Sequence, residues 1–217
     1  MIKNILKKLL LKLTDLKWKF YLLNYSLIND NKVFTHLTTE EKIILHQTVK
    51  TLNSKKRAVC VEIGSYLGAS SCFIANALNN NSVLYCIDTW GNDAMIYTEE
   101  EKLDENLIKK DTLDAFLLNS KKYLNKIKLL RGWSYVVAPD LKAQESEIDF
   151  IFIDGDHEYA GVKKDWETYK AFMKKGTLIA LHDTGWADGV KQVIKEDIAP
   201  IASVVHALPN MLVVKLN

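Results

Sequence analysis

The sequence has little of what marks fibrous, disordered or disulfide-rich chains. Its 217 residues include three Pro, nine Gly and three Cys, whereas 48% are hydrophobic and 26% are charged. This composition excludes collagen-like and low-complexity chains and is that of an ordinary globular protein. The cysteines Cys60, Cys72 and Cys86 form an odd set without a CxxC pair. They therefore argue against a disulfide framework or a zinc cluster and favour a reducing compartment.

The charge is nearly balanced overall but uneven along the chain. The formal net charge is +2, yet residues 1–20 hold six Lys and one Asp, a net of +5, so the remainder carries −3. The length fits one α/β domain. We therefore predict a basic amphipathic N-terminal helical arm over residues 1–37 and a mildly acidic domain over residues 38–217.

The arm combines an apolar stripe with basic edges. At 100° per residue, seven apolar side chains fall within one arc about 100° wide, with most lysines flanking it. These are Ile2, Ile5, Leu6, Leu9, Leu13, Leu16 and Phe20. Neither a membrane-spanning run of about 20 apolar residues nor a normal signal-peptide cleavage site is present.

Two partners fit this amphipathic pattern. We expect the stripe to pack on the protein's own core or, as a homodimer, on a second copy. The alternative is an interfacial helix, with residues 1–23 contacting an anionic membrane surface. A nucleic-acid partner is not expected, because no further basic stripe with interleaved aromatics follows.

Short apolar runs alternate with helical patterns along the rest of the chain. Strands are predicted at residues 59–63, 83–88, 127–130, 148–154 and 178–181, followed by a two-strand hairpin turning at 208–210. Helices are predicted from residue 38 and at 69–78, 112–123, 162–173 and 190–198. The alternation predicts a doubly wound, Rossmann-like α/β fold with seven mostly parallel strands and an antiparallel C-terminal edge hairpin. The acidic, irregular residues 91–111 are predicted to form a lid.

A glycine turn and an acid follow the first two strands, where such sheets bind ligands. Gly64 permits a sharp turn, and Gly68 with the small Ser70 permits a helix to begin close to a ligand. Asp88 ends the second strand 20 residues after Gly68, where a carboxylate can bind ribose hydroxyls. The loop lacks the middle glycine of a GxGxxG fingerprint, which favours a nucleoside without pyrophosphate over NAD.

Four segments resemble, in order along the chain, the motifs of class I S-adenosylmethionine-dependent methyltransferases. They read VEIGSYLGASS, YCIDTW, FIDGDHEYAGVKKDW and KKGTLIALHDT. Within that class they are most similar to small-molecule and sugar O-methyltransferases of the macrocin and novobiocin type and to cephalosporin-hydroxylase-like proteins. The resemblance covers roughly residues 38–217. It implies an enzyme that methylates a hydroxyl of a sugar or other small polar molecule. We expect this enzyme in the cytoplasm, in keeping with the reducing compartment that the cysteines favour.

Two other functions are the alternatives to methyl transfer. One is an NAD- or nucleotide-dependent α/β oxidoreductase, and the other is a non-catalytic binding or membrane-tethering module.

The resemblance also implies positions for the cofactor, S-adenosylmethionine. Its methionine end would be lined by Glu62, Gly64, Ser65 and Gly68, with Ser70 beside them, and its ribose would be bound by Asp88. Its adenine would be walled by Trp90, or by Trp133 with Ser134; the alternative for each Trp is a half-buried place in the core.

Polar side chains also follow the fourth and fifth strands. They are Asp154, Asp156 and His157 after one strand and His182 and Asp183 at the end of the other. Adjacent parallel strands lie about 5 Å apart, so these side chains can converge.

In the sugar methyltransferases that the chain resembles, acids matching Asp154 and positions 182 and 183 hold Mg²⁺. Here His182 replaces one acid, and an imidazole favours a softer metal or none. A metal site of Asp154, His182 and Asp183 is thus predicted, with Mg²⁺, another divalent cation or no ion left open.

The catalytic base is expected next to this cluster. His157 is the first choice, because its unperturbed pKa lies near neutrality, and Asp156 is the alternative. The base would accept the proton of the hydroxyl that attacks the cofactor's methyl group. The other reading of His157 is a residue at a helix start that bonds to backbone.

Overall fold

The computed structural model describes residues 2–91 and 111–217, with the side chains of residues 2–9 left aside. Most of the predicted lid, residues 92–110, lies outside the described residues. Seven helices are described: α1 Ile2–Asn24, α2 Thr39–Lys50, α3 Ala69–Ala77, α4 Leu113–Ser120, α5 Ser134–Lys142, α6 Tyr159–Tyr169 and α7 Asp188–Val193. Shorter 3-10 turns and one π-helical turn lie between these helices or follow α7: Asp30–Lys32, Thr51–Ser54, Lys121–Tyr123, Lys170–Phe172, Ile194–Ile198 and Ala199–Ile201.

Seven strands form one sheet, as the sequence predicts. They are β1 Val59–Ile63, β2 Val83–Asp88, β3 Ile127–Arg131, β4 Phe150–Ile153, β5 Leu178–His182, β6 Ala202–Ala207 and β7 Met211–Leu216. Their order is β3-β2-β1-β4-β5-β7-β6. The first five run parallel, whereas β7 pairs antiparallel with both β5 and β6. The strand order therefore reverses between β1 and β4, where open α/β sheets bind ligands.

Helices cover both faces of the sheet, which explains why every residue of β1, β4 and β5 is buried. One core layer packs α5, α6 and α7 against the sheet, with Trp166 and Tyr169 among its largest side chains. The other layer packs α2, α3 and α4 against the opposite face, with Phe116 at its centre. The doubly wound prediction is thus confirmed.

Helix α5 is the element that the sequence analysis missed. It runs through Pro139, which lacks the backbone N–H that a helix interior normally uses. Ser134 begins the helix, Ala138 and Leu141 bury its inner face, and Tyr169 of α6 donates from its hydroxyl to the Ser134 carbonyl at 2.9 Å. Tertiary packing therefore outweighs the local cost of the proline.

Helix α1 rests on the domain through the end of its C-terminal half. Leu22 and the following Leu27 are buried against Ile43 of α2 and Phe73 of α3, and Trp18 packs beside them. Within the described residues, no helix is both long enough and apolar enough to span a membrane.

The apolar stripe of α1 does not pack on the domain. The stripe residues Leu13, Leu16 and Phe20 are 57%, 65% and 65% exposed. The expectation that the stripe packs on the protein's own core is therefore wrong for these residues, because the domain instead contacts the opposite side of the helix.

Candidate active site

The turn after β1 lies directly against the segment after β4. Gly64 has a φ of +86° and donates its N–H to the Ile87 carbonyl at 2.9 Å. A Cβ at this position would lie 2.0 Å from the backbone oxygen of Asp154 and 3.0 Å from the Cα of Gly155. Only glycine fits such a contact. The predicted cofactor loop and the predicted acidic cluster are therefore neighbours.

Helix α3 begins at this loop with small residues. Gly68 precedes the helix in the left-handed conformation, with a φ of +83°, and a Cβ there would lie 3.0 Å from the Phe116 ring. Ser70 and Ser71 follow in the first turn, and both are buried. The first turn of α3 therefore brings only small side chains next to the loop.

Glu62 is a fully buried acid at the end of β1. Ser71 donates its hydroxyl to Glu62 Oε2, and Cys86 Sγ lies 3.6 Å from the same oxygen. Burial raises the pKa of Glu62 above its usual range.

Two polar atoms at this point have no partner. Glu62 Oε1 and Ser65 Oγ are buried without a hydrogen bond to any described residue. An unsatisfied buried polar atom costs about 1 to 3 kcal/mol, so the pair fits a ligand that brings polar groups of its own. A cofactor with a polar end, such as the methionine end predicted here, suits this observation.

Asp88 organises the loop around itself. Its two carboxylate oxygens accept from the backbone N–H of Tyr66 at 2.8 Å and of Trp90 at 2.6 Å. Both donors have positive φ values, +43° and +50°, that non-glycine residues seldom adopt. Asp88, the residue predicted to bind the ribose, therefore also holds the surrounding backbone in an unusual conformation.

The two predicted adenine walls differ in exposure. Trp90 is fully buried, its indole N–H donates to the Tyr66 carbonyl at 3.0 Å, and its ring packs on Phe116. This is a core position, so Trp90 does not offer an exposed ring face. Trp133 is 52% exposed just before α5, whereas the neighbouring Ser134 is buried and donates its hydroxyl to Asp165. Of the two walls, Trp133 is the one with an accessible ring.

The predicted metal ligands do converge. One ligand atom each from Asp154, His182 and Asp183 lies within 4.8 Å of the others. His182 is buried, and its Nδ1 lies 3.0 Å from Asp154 Oδ1 and 3.2 Å from Asp183 Oδ1. Its other nitrogen, Nε2, lies 3.7 Å from Glu41 Oε2 and 3.3 Å from Asn210 Nδ2. Burial opposes a charge on this imidazole, but hydrogen bonds to Asp154 and Asp183 outweigh it and raise the pKa of His182.

Asp183 is held by N–H donors on both of its oxygens. Trp186 Nε1 donates to Oδ1 at 2.8 Å, and Asn210 Nδ2 donates to the same oxygen at 3.0 Å. His157 Nε2 lies 2.7 Å from Oδ2. The backbone of Asp183 has a φ of +58°, a strained value for a non-glycine residue. Burial opposes its charge, but the hydrogen bonds from His157 and His182 hold the pKa of Asp183 well below its usual range.

These contacts fit a divalent cation poorly. A nitrogen that faces two carboxylates carries a proton, so Nδ1 of His182 presents an N–H rather than the lone pair that a metal needs. The oxygens of Asp183 are likewise taken by four N–H groups. The donor set therefore fits a hydrogen-bonded imidazole at position 182 better than it fits Mg²⁺ or a softer ion.

His157 forms a carboxylate-oriented pair with Asp183. It lies just before α6, is partly exposed, and has its ring centroid 4.9 Å from that of the exposed Trp186. The hydrogen bond with Asp183 raises the pKa of His157. The other candidate base, Asp156, accepts instead from the backbone N–H of Glu158 at 2.8 Å and so helps to begin α6. Of the two candidate bases, His157 is therefore the one whose ring is held by a carboxylate.

Four residues of the site were not found by sequence reasoning. Glu41 reads in the sequence as a capping-box acid, and it does accept from the Thr38 N–H at 2.7 Å while facing His182. Asn210 reads as a turn residue of the hairpin, Trp186 as part of a loop, and Tyr66 as an ordinary loop aromatic. Tyr66 and Trp186 carried a signal, because each lies in a loop that directly follows a strand, after β1 and after β5.

Comparisons with known proteins agree with this fold. A family model described as a methyltransferase domain matches residues 61–184. Protein R132 of Acanthamoeba polyphaga mimivirus is 28% identical over 145 residues, which is 65% of this chain. The chain spans about three fifths, 59%, of that relative's length.

Two solved structures share the architecture at low identity. The O-methyltransferase NovP has a TM-score of 0.67 at 14% identity, covering 84% of this chain and 82% of its own. The O-methyltransferase from Bacillus cereus, solved in complex with SAH, has a TM-score of 0.61 at 14% identity and covers 90% of both chains. At this identity the likeness concerns the fold.

Proposed function

We propose that this chain, which belongs to the family of methyltransferase domains, transfers a methyl group from S-adenosylmethionine. The proposed acceptor is a hydroxyl of a sugar or similar small polar molecule. One observation carries this proposal. The His157–Asp183 pair, with 2.7 Å between Nε2 and Oδ2, stands beside the loop of Gly64, whose backbone abuts that of Asp154. A proton acceptor and a nucleoside loop thus share one edge of the sheet. NovP and the Bacillus cereus protein, both O-methyltransferases by name, support the same reaction.

The cofactor would lie along the ends of β1 and β2. Glu62 and Ser65 offer unpartnered buried atoms to its methionine end, while Gly64, Gly68 and Ser70 leave room for it. Asp88 would bind the ribose hydroxyls and Trp133 would cover the adenine. When bound, the cofactor supplies a methyl group on a positively charged sulfur, which an oxygen nucleophile can attack.

The residues of this chain would handle the proton. With its Nε2–H donated to Asp183 Oδ2, neutral His157 has its lone pair on Nδ1, the nitrogen that would accept the proton of the acceptor hydroxyl. Asp183 fixes the ring and stabilises the positive charge that forms on it. His182 Nδ1–H keeps Asp154 and Asp183 in place, a role that a cation would fill in the sugar methyltransferases that the sequence resembles.

The surroundings of His157 indicate the acceptor class. Trp186 presents an exposed ring beside the imidazole, and Asp154 adds a half-buried carboxylate. An aromatic face next to polar oxygens suits a molecule with one apolar face and several hydroxyls, as a sugar ring has.

Ligand-induced stabilisation tests the cofactor class. We expect S-adenosylhomocysteine at about 100 times its Kd to stabilise the protein by about 2.7 kcal/mol, a rise in melting temperature of about 5 to 10 °C. NAD should give no shift. A shift with NAD alone would indicate an oxidoreductase, and no shift with either would indicate a non-catalytic module. Transfer of a labelled methyl group to a panel of monosaccharides then tests the acceptor class.

Replacing Asp88 tests the ribose site. Asp88→Ala removes two charge-assisted hydrogen bonds of about 1.5 to 3 kcal/mol each, so calorimetry should show at least a tenfold loss of S-adenosylmethionine affinity. Asp88→Asn is the matched control. It keeps one acceptor for the Tyr66 or Trp90 N–H and should lose less. Unchanged affinity in the folded Ala variant would remove Asp88 from the site.

We also infer that the enzyme is cytoplasmic and that its arm contacts a partner through residues 1–23. The exposed stripe of α1 supports two such partners, a membrane surface at the inner face of the cytoplasmic membrane or a second copy of this chain.

A further inference from the structure

We propose that α1 binds in the plane of an anionic membrane surface and tethers the enzyme there. The two sides of α1 have different tasks. Trp18, Tyr21, Leu22 and Tyr25 form the side that meets the domain, where Leu22 is buried and the Tyr21 hydroxyl lies 2.8 Å from His46 Nδ1. This anchoring side holds the helix to the domain.

The apolar stripe is on the other side. At 100° per residue, Leu13, Leu16, Phe20 and Leu23 centre roughly 180° from the anchoring side. Their exposed fractions lie between 57% and 65%, so no described side chain covers them. An uncovered row of large apolar side chains on one face marks an interaction surface.

Lysines line both edges of this stripe. Lys12 and Lys19 lie along one edge and Lys17 along the other, and all three are exposed. By position in the sequence, Lys8 extends the first edge and Lys3 the second. An interfacial helix has this arrangement, with apolar residues at the centre of one face and lysines on both sides. It inserts the apolar face into the membrane surface while its amines contact anionic headgroups.

Charge favours the membrane over a second copy. Two arms packed stripe to stripe would bring like charges together, because residues 1–20 carry a net of +5. The one acid of α1, Asp15, is already paired with Lys19 of the same helix at 2.7 Å. It leaves no other carboxylate in α1 to receive the partner's lysines. Anionic headgroups neutralise both edges.

Vesicle sedimentation tests the proposal on the full chain. We expect binding to vesicles of 30% phosphatidylglycerol and 70% phosphatidylcholine, and at least tenfold weaker binding to pure phosphatidylcholine. Replacing Lys12, Lys17 and Lys19 by Gln should weaken binding to the anionic vesicles by about fivefold for each lysine. Raised salt should act in the same direction.

A matched pair of variants separates the stripe from general exposure. The triple variant Leu13→Gln, Leu16→Gln, Phe20→Gln should lose vesicle binding by at least tenfold. The control Leu10→Gln, Leu11→Gln changes two leucines that are each 62% exposed but lie outside the stripe, and it should bind almost as wild type. Both variants change exposed side chains, so their melting temperatures should match the wild type.

Sedimentation velocity supplies the outcome that overturns the proposal. A wild-type dimer that becomes a monomer in the triple variant, with no binding to anionic vesicles, would assign the stripe to a second copy. Equal binding to both vesicle types would also contradict the proposal. Binding of S-adenosylhomocysteine should be unchanged in the triple variant, so a failure of the tether and a failure of the methyl-transfer proposal are distinguishable.

Discussion

Replacing His157 by Ala is expected to lower the rate of methyl transfer by about 10²- to 10⁴-fold, the usual contribution of a positioned base. Affinity for S-adenosylmethionine should stay within about twofold of wild type, because the residues that we propose to bind the cofactor come from the ends of β1 and β2. Single-turnover rates and calorimetry on the same protein measure the two effects. Asp156→Ala is the control, since Asp156 bonds to the start of α6, and it should keep most of the activity.

A larger loss in Asp156→Ala than in His157→Ala would move the base to Asp156. Parallel losses of rate and cofactor affinity in His157→Ala would assign His157 to binding.

The pH dependence of the rate gives an independent view of the same base. The hydrogen bond that His157 donates to Asp183 raises the pKa of His157 above its ordinary 6.5, and only the unprotonated ring can accept a proton. The rate should therefore rise with pH through a value above 6.5. Asp183→Asn removes the negative charge, so the remaining activity should rise at lower pH than in wild type. If the pH profile does not move in Asp183→Asn, the group that titrates in the profile is not His157.

The second large effect is expected at His182. His182→Asp replaces an N–H donor by a carboxylate among Asp154, Asp183 and Glu41, so like charges meet in a buried place. Disrupting a buried charged network typically costs about 3 to 5 kcal/mol. For a chain of this length the melting temperature should fall by about 10 °C. Because four carboxylates can bind a hard cation, millimolar Mg²⁺ should restore much of the loss.

His182→Asn is the matched control for this experiment. Its side-chain amide keeps an N–H that can face Asp154, so the loss should be smaller and unaffected by Mg²⁺. Wild-type stability and activity should be the same in EDTA and in Mg²⁺. Loss of wild-type activity in EDTA would mean that the wild-type site holds a divalent cation. A His182→Asp variant whose stability does not respond to Mg²⁺ would show that the four carboxylates do not converge.

Most of the fold could be predicted because buried parallel strands leave strong marks. The predicted strand at residues 83–88 has the bounds of β2, and the predicted turn at 208–210 joins β6 to β7. Helix α5 escaped prediction because Pro139 argues locally for a break, whereas its stability comes from packing on α6 and the sheet. Such packing is set by residues far along the chain, which local patterns do not contain.

Site residues at the ends of strands could be predicted from the sequence. Site residues that other elements bring to the same place could not. Asp154, His182 and Asp183 follow β4 or end β5, and sheet geometry alone brings them together. Glu41 comes from α2 and Asn210 from the hairpin, so their approach depends on how whole elements pack. The stripe of α1 was likewise visible in the sequence. Which side of α1 meets the domain is decided by Leu22 and Tyr21, whose partners lie on α2 and α3.

Helix α3 contacts both α1 and the end of β1. Its first turn carries Ser71, which donates its hydroxyl to Glu62 in β1, a residue that we propose to line the cofactor site. Two residues later Phe73 packs under the end of α1, and Asn76 donates to the Tyr25 carbonyl at 3.2 Å. A displacement of α1 is therefore expected to reach the helix that borders the proposed nucleoside site.

Coupling between two binding sites is reciprocal. Any factor by which the membrane changes cofactor affinity is the factor by which the cofactor changes membrane affinity. Titrating the cofactor with and without vesicles thus measures the coupling between the membrane-binding helix and the cofactor site.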